Sequence, residues 1–145
     1  MVPEFHSLAA EPDANDQCPW VAVSSGDGNP CRHCLNDIGC GKPVLLLVYR
    51  PFSAAQPYAE LGPILPCTDN CTRHPETGGV PGLYRNREML IRGYGYDARI
   101  ICGTGKVINM AVIAEEAGRL FELSELSSIH LRSPTNNCYH FGIEP

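Results

Sequence analysis

The run Pro43-Val-Leu-Leu-Leu-Val-Tyr49 is continuously apolar and is bounded by Gly41 and Lys42 before it and by Arg50-Pro51 after it. It has no polar face to give to water, which predicts a strand buried on both sides and central in its sheet. Gly62-Pro-Ile-Leu-Pro66 predicts a short edge strand, because proline cannot donate to a ladder. From Met89 the alternation Met-Leu-Ile-Arg-Gly-Tyr-Gly-Tyr predicts a strand. Ala98 to Cys102 reads as a second one after a turn at Gly95-Tyr-Asp97, and Gly103-Thr-Gly105 turns the chain again before Lys106-Val-Ile. Ser128-Ile-His-Leu-Arg132 and Cys138 to Ile143 alternate as two further strands, joined by turn residues.

Between Asn109 and Leu126 the period changes. Val112, Ile113, Leu120, Phe121 and Leu123 fall on one broad face, with Glu115, Glu116, Arg119 and Glu122 opposite, so one amphipathic helix over Met110 to Leu123 is expected, with Asn109 as its N-cap. Strands with a single late helix make an α+β domain: a mostly antiparallel sheet with the helix packed on one face. Strands and helices do not alternate, which excludes a doubly wound sheet. Residues 1–28, rich in Pro, Asp, Asn, Gly and Ser, read as a loosely ordered lead-in with one short strand around Trp20, Val21 and Val23. Residues 29–145 read as the single domain.

Apolar residues form 43% of the 145-residue chain and charged ones 19%, the balance of an ordinary globular domain. The net charge is −5 and the basic residues are scattered. Nucleic-acid binding, which needs clustered Lys and Arg, is therefore not expected. Val44 to Tyr49 falls far short of the roughly 20 residues that cross a bilayer, so no membrane span is expected. The opening Met-Val-Pro-Glu-Phe-His lacks the features of a signal peptide, which makes a cytoplasmic setting the expectation. There the eight cysteines stay reduced and read as ligands, packed thiols or redox groups rather than as disulfides.

Cys31-Arg-His-Cys34 is a Cys-x2-Cys turn, which puts two sulfurs on one side of a metal ion. Cys67 and Cys71 supply a second pair after a loop of the length that zinc ribbons enclose. Cys31, Cys34, Cys67 and Cys71 are thus the candidate zinc ligands, with His74, Cys40 and His33 as spares. Buried idle thiols in the same places would show the same spacing, so a chain without a cofactor remains an alternative.

Thiol exchange at Cys31 and Cys34 is a third reading, since Arg32 and His33 favour a thiolate. The turn nevertheless follows Asn29-Pro30 and lacks the preceding strand and following helix of thioredoxin-like sites. Cys138 and His140 share a strand face, for which packing is reason enough. Arg92, Tyr94 and Tyr96 also share a face and can line an anion site or simply cover a strand. Gly103-Thr-Gly-Lys106 lacks the upstream glycine and the Ser or Thr of a phosphate loop, and no hydrolase motif is present.

Pro30-Cys-Arg-x-Cys-Leu35, Gly41 to Phe52, Tyr58, Gly62-Pro-Ile64, Cys71, the Arg87 to Tyr94 strand, Ile129-His-Leu-Arg132 and Asn137-Cys-Tyr139 occur in an order that resembles the bacterial domain of unknown function 1203 over about residues 29 to 144. The resemblance implies a small cytosolic domain with no established activity. It also implies His in relatives where this chain has Cys67, which keeps a zinc ligand, and Ser in place of Cys34, which does not. Two functional classes follow. One is a zinc-stabilised structural or partner-binding module. The other is an enzyme or small-molecule binder working from Cys31, Arg32, Arg92 and Cys138. The partner, protein or small molecule, is not named by the residues.

Overall fold

The computed structural model describes residues 14–145. It contains two antiparallel sheets and one short helix, an α+β fold made mostly of sheet. The first sheet has the order β1-β2-β3, with β1 Trp20–Val23, β2 Pro43–Tyr49 and β3 Gly62–Ile64. The apolar run is therefore the central strand: Val44, Leu45 and Leu47 are buried, while Leu46, Val48 and Tyr49 are half-buried. Gly62-Pro-Ile64 is an edge, as its proline requires. On the other edge Trp20, Val21 and Val23 are all exposed.

The second sheet has the order β5-β4-β6-β7, with β4 Glu88–Gly95, β5 Lys106–Asn109, β6 Leu126–Arg132 and β7 Tyr139–Ile143. Ala98 to Cys102 is not a strand. Ala98 (φ 60°) and Gly103 (φ 87°) bracket it in left-handed conformations, leaving one bridge between Tyr94 and Ile100. A helix extending from Met110 to Leu123 is also not observed: a 3-10 turn over Met110–Val112 precedes α1, Ile113–Leu120. Asn109 caps the turn, its side chain accepting from Ala111 N at 2.9 Å. The buried positions are Met110, Ile113, Ala117 and Leu120, spaced three, four and three apart as one helical stripe demands. Val112 and Leu123 stay largely exposed.

Period two gives the second sheet two distinct faces. Ile91 pairs with Leu131, and Leu131 with Phe141. These side chains share one hydrophobic cluster with Met89, Ile129, Tyr84 and the helix stripe. The other face carries Arg92, opposite His130, and Tyr94, with Arg132 opposite Tyr139 at a bulge. Against it lie rings from the end of β2 and the loop after it: Tyr49 is 5.7 Å from Tyr139, and Phe52 is 5.0 Å from Tyr94. Alternation that reads as one wet face is thus buried on both.

Candidate metal centre

Residues 31–34 form a tight turn. Cys31 N donates to Asn36 O (2.9 Å), Leu35 N donates to Cys31 O (3.0 Å), and Pro30 bridges Asp37. The turn closes on Leu35 in the left-handed region (φ 57°), an unfavourable place for a bulky side chain. Leu35 is held there because its side chain is wholly buried in the main core. Arg32 N donates to Leu65 O (3.1 Å), and Leu45 N donates to Pro66 O (3.1 Å). These bonds set the segment after β3 between the turn and β2, and so deliver Cys67 to Cys31.

The Sγ atoms of Cys31, Cys34, Cys67 and Cys71 all lie within 4.8 Å of one another, and Cys31 and Cys71 are 3.9 Å apart. All eight cysteines are free thiols. A tetrahedron with Zn–S bonds of about 2.3 Å has S···S edges of about 3.8 Å, so contraction by less than about 1 Å makes this a four-thiolate site. Cys31 Sγ accepts backbone N–H bonds from His33 (3.4 Å) and Cys67 (3.3 Å), the donor pattern that stabilises a thiolate.

The four thiols differ electrostatically. A hydrogen bond from the Cys34 thiol, helped by backbone N–H groups and opposed by burial, lowers Cys31 to about 4. That same bond and burial push Cys34 up. Burial, with Cys31 close by, raises Cys67 to about 12 and also raises Cys71. One anion excludes three more from the same small volume unless a cation joins them. A thiophilic dication removes that obstacle.

His33 is not among the clustered ligand atoms; its Nδ1 stands 3.1 Å from Cys71 Sγ, within hydrogen-bond reach of one of the four thiols. His74 N donates to His33 O (2.9 Å), while its ring turns to Gly79 O (3.2 Å). Cys40 is exposed and outside the cluster.

Arg32, read from the sequence as a thiolate-favouring neighbour, is 4% exposed and fully engaged. It donates from Nε to Tyr139 O and from Nη1 to Pro30 O, each at 2.6 Å, and Nη2 lies 3.4 Å from His140 Nε2. With Nε2 accepting, the His140 proton sits on Nδ1, 2.9 Å from Tyr84 Oη. Burial holds His140 neutral, down to about 3. Burial also lowers Arg32, while Tyr84, Cys138 and Cys31 act to retain its charge.

Residues 28–144 match the family described as protein of unknown function (DUF1203). The chain belongs to that family. No curated protein and no solved structure matches it.

In this DUF1203 domain the remaining sequence candidates lie apart from the thiols. Arg92 pairs with Glu60 (3.0 Å) on the intersheet face. Cys138 Sγ turns to Asn136 O (3.8 Å). Four residues that the sequence reading passed over stand out instead: Glu60, which meets both Arg92 and Arg132, and the buried His130, Arg132 and Tyr139. Their signal was the polar pair His130 and Arg132 alternating with the apolar Ile129 and Leu131 in one strand. A cavity of about 450 Å³ lies elsewhere, between α1, the 74–81 segment and the end of β7, with mainly apolar walls.

Proposed function

We propose that Cys31, Cys34, Cys67 and Cys71 hold one zinc ion and that the domain is a zinc-stabilised structural module of the cytoplasm. The observation that carries this reading is the approach of four thiols from two distant segments to within 4.8 Å of one another. Two further features support it. An all-sulfur set selects thiophilic metals over Mg²⁺ or Ca²⁺. Four thiolates and Zn²⁺ sum to −2, and Arg32 is a buried cation whose hydrogen-bond partners are all neutral, so it complements that charge.

The zinc ion ties the turn at residues 31–34, whose Leu35 is rooted in the main core, to the segment after β3. Its binding free energy is then folding free energy. The alternative, a nucleophilic thiol at Cys31, suits the lowered pKa but not the burial, because Cys31 is 0% exposed and a reactive thiolate must be reached.

Cobalt(II) substitution tests the assignment. The protein reconstituted with cobalt should show the intense charge-transfer and ligand-field bands of tetrahedral thiolate coordination, titrating to one equivalent. Octahedral, thiolate-free spectra would overturn it.

A further inference from the structure

The intersheet face holds a second cluster of buried polar groups, separate from the thiols. Arg132 is 3% exposed, His130 5% and Tyr94 1%. Arg132 Nη1 is taken: it donates to Asn137 O (3.2 Å) and forms an ion pair with Glu60 Oε2 (2.8 Å). Glu60 Oε1 receives Arg92 Nη1 at 3.0 Å, so a single carboxylate serves two guanidinium groups. With His130 held neutral by burial, the charges sum to +1 +1 −1 = +1. A buried unbalanced charge is costly unless a counter-ion arrives.

The unmatched hydrogen-bonding groups have a definite shape. Arg132 Nε and Nη2, His130 Nδ1 and Glu60 Oε2 are buried and make no hydrogen bond; Tyr94 Oη, also buried, lies beside the Arg92 guanidinium. Nε–H and one N–H of Nη2 lie parallel on the same guanidinium edge, the fork that grips a carboxylate in two hydrogen bonds. Rings surround the cluster: His130 is 4.3 Å from Tyr94, 5.1 Å from Tyr139 and 5.1 Å from Phe52. Walls of this kind suit an organic body better than bare phosphate. A carboxylate also balances a net charge of +1, whereas a phosphate group brings about −1.5 to −2.

We propose that this site binds a small organic monocarboxylate, its carboxylate held by the Nε/Nη2 edge of Arg132 with Tyr94 Oη and His130 Nδ1 beside it. Entry is from the side of Glu60, whose side chain is 36% exposed and belongs to the long connection between β2 and β3. The site does not depend on zinc at the thiols.

The test uses the full chain as purified, titrated with sodium benzoate, sodium acetate, inorganic phosphate and sodium chloride at constant ionic strength, with the Arg132 Nε–H resonance followed by NMR. A saturable shift with benzoate or acetate, absent with chloride and weaker with phosphate, is expected. Tyr94→Phe, which keeps the ring and removes only the hydroxyl, should weaken carboxylate binding roughly five- to tenfold, and Arg132→Lys should abolish it. Three results would each overturn the proposal: an equal response to all four salts, no saturable response to either carboxylate, or an Arg132 Nε–H that exchanges only with buried water. Unchanged carboxylate affinity in Tyr94→Phe would remove Tyr94 from the site and refute the arrangement proposed.

Discussion

Arg32 donates from Nε to the backbone carbonyl of Tyr139 across 2.6 Å. This bond joins the thiol turn to β7, and its donor neighbours Cys31, the most acidic of the four clustered thiols. Tyr139 in turn faces Arg132, whose guanidinium carbon is 5.9 Å from the ring centre. The same residue therefore meets both buried cations, one with its carbonyl and the other with its ring.

Replacing Arg32 by Ala removes at once the donor to the carbonyls of Tyr139 and Pro30 and the partner of His140 Nε2. At about 1–3 kcal/mol for each buried group left unmet, a loss of about 3 kcal/mol or more is expected in the unfolding free energy from denaturant titration. Arg32→Lys should recover only part of it, since one ammonium cannot reproduce the planar fork. Full recovery by Lys would show that charge alone matters at this position.

His33 tests the outer contact of the thiol cluster. With Nδ1 hydrogen-bonded to Cys71 Sγ and no place in the ligand set, His33→Ala should keep one metal per chain and weaken its hold by about 10- to 100-fold, as loss of a supporting contact does. Competition with a chelator of known affinity measures this. Loss of stoichiometry would instead make His33 a ligand.

Acid should destabilise the fold through its buried imidazoles. Burial, together with nearby Arg132 and Arg92, lowers His130 to about 3, against about 6.5 unfolded. Between those values the unfolded chain binds the proton and the folded chain does not, so stability falls as pH drops from about 6.5 towards 3. His130→Phe should remove about 3 kcal/mol of this loss by about pH 4. The difference between the two pH curves isolates it, because acid protonation of the thiols is common to both proteins. Parallel curves would mean that His130 is already charged in the fold.

How much of this was legible in the sequence depends on how local the determining contacts are. The central strand over Val44 to Tyr49 and the edge position of Pro63 follow from local composition and are seen. The Cys31-x2-Cys34 turn is also local. The arrangement of Cys67, Cys71 and His74 around it is not, since it rests on Arg32 N to Leu65 O and His74 N to His33 O, bonds between segments far apart in the chain. The helix is shorter than its apolar pattern because Met110 enters the core from a 3-10 turn. Ala98 to Cys102 has strand composition, yet left-handed residues at its boundaries stop it. His130 and Arg132 alternate with apolar neighbours as solvent-facing residues do, and nothing local records that Tyr49 and Phe52 from elsewhere in the chain cover them.

The metal content of protein purified without added zinc and without a histidine tag tests the central claim most directly. One zinc ion per chain is expected, with Cys34→Ser losing the metal and melting at a lower temperature because metal binding is coupled to folding. Metal-free protein that folds with unchanged stability, in wild type and Cys34→Ser alike, would contradict the account.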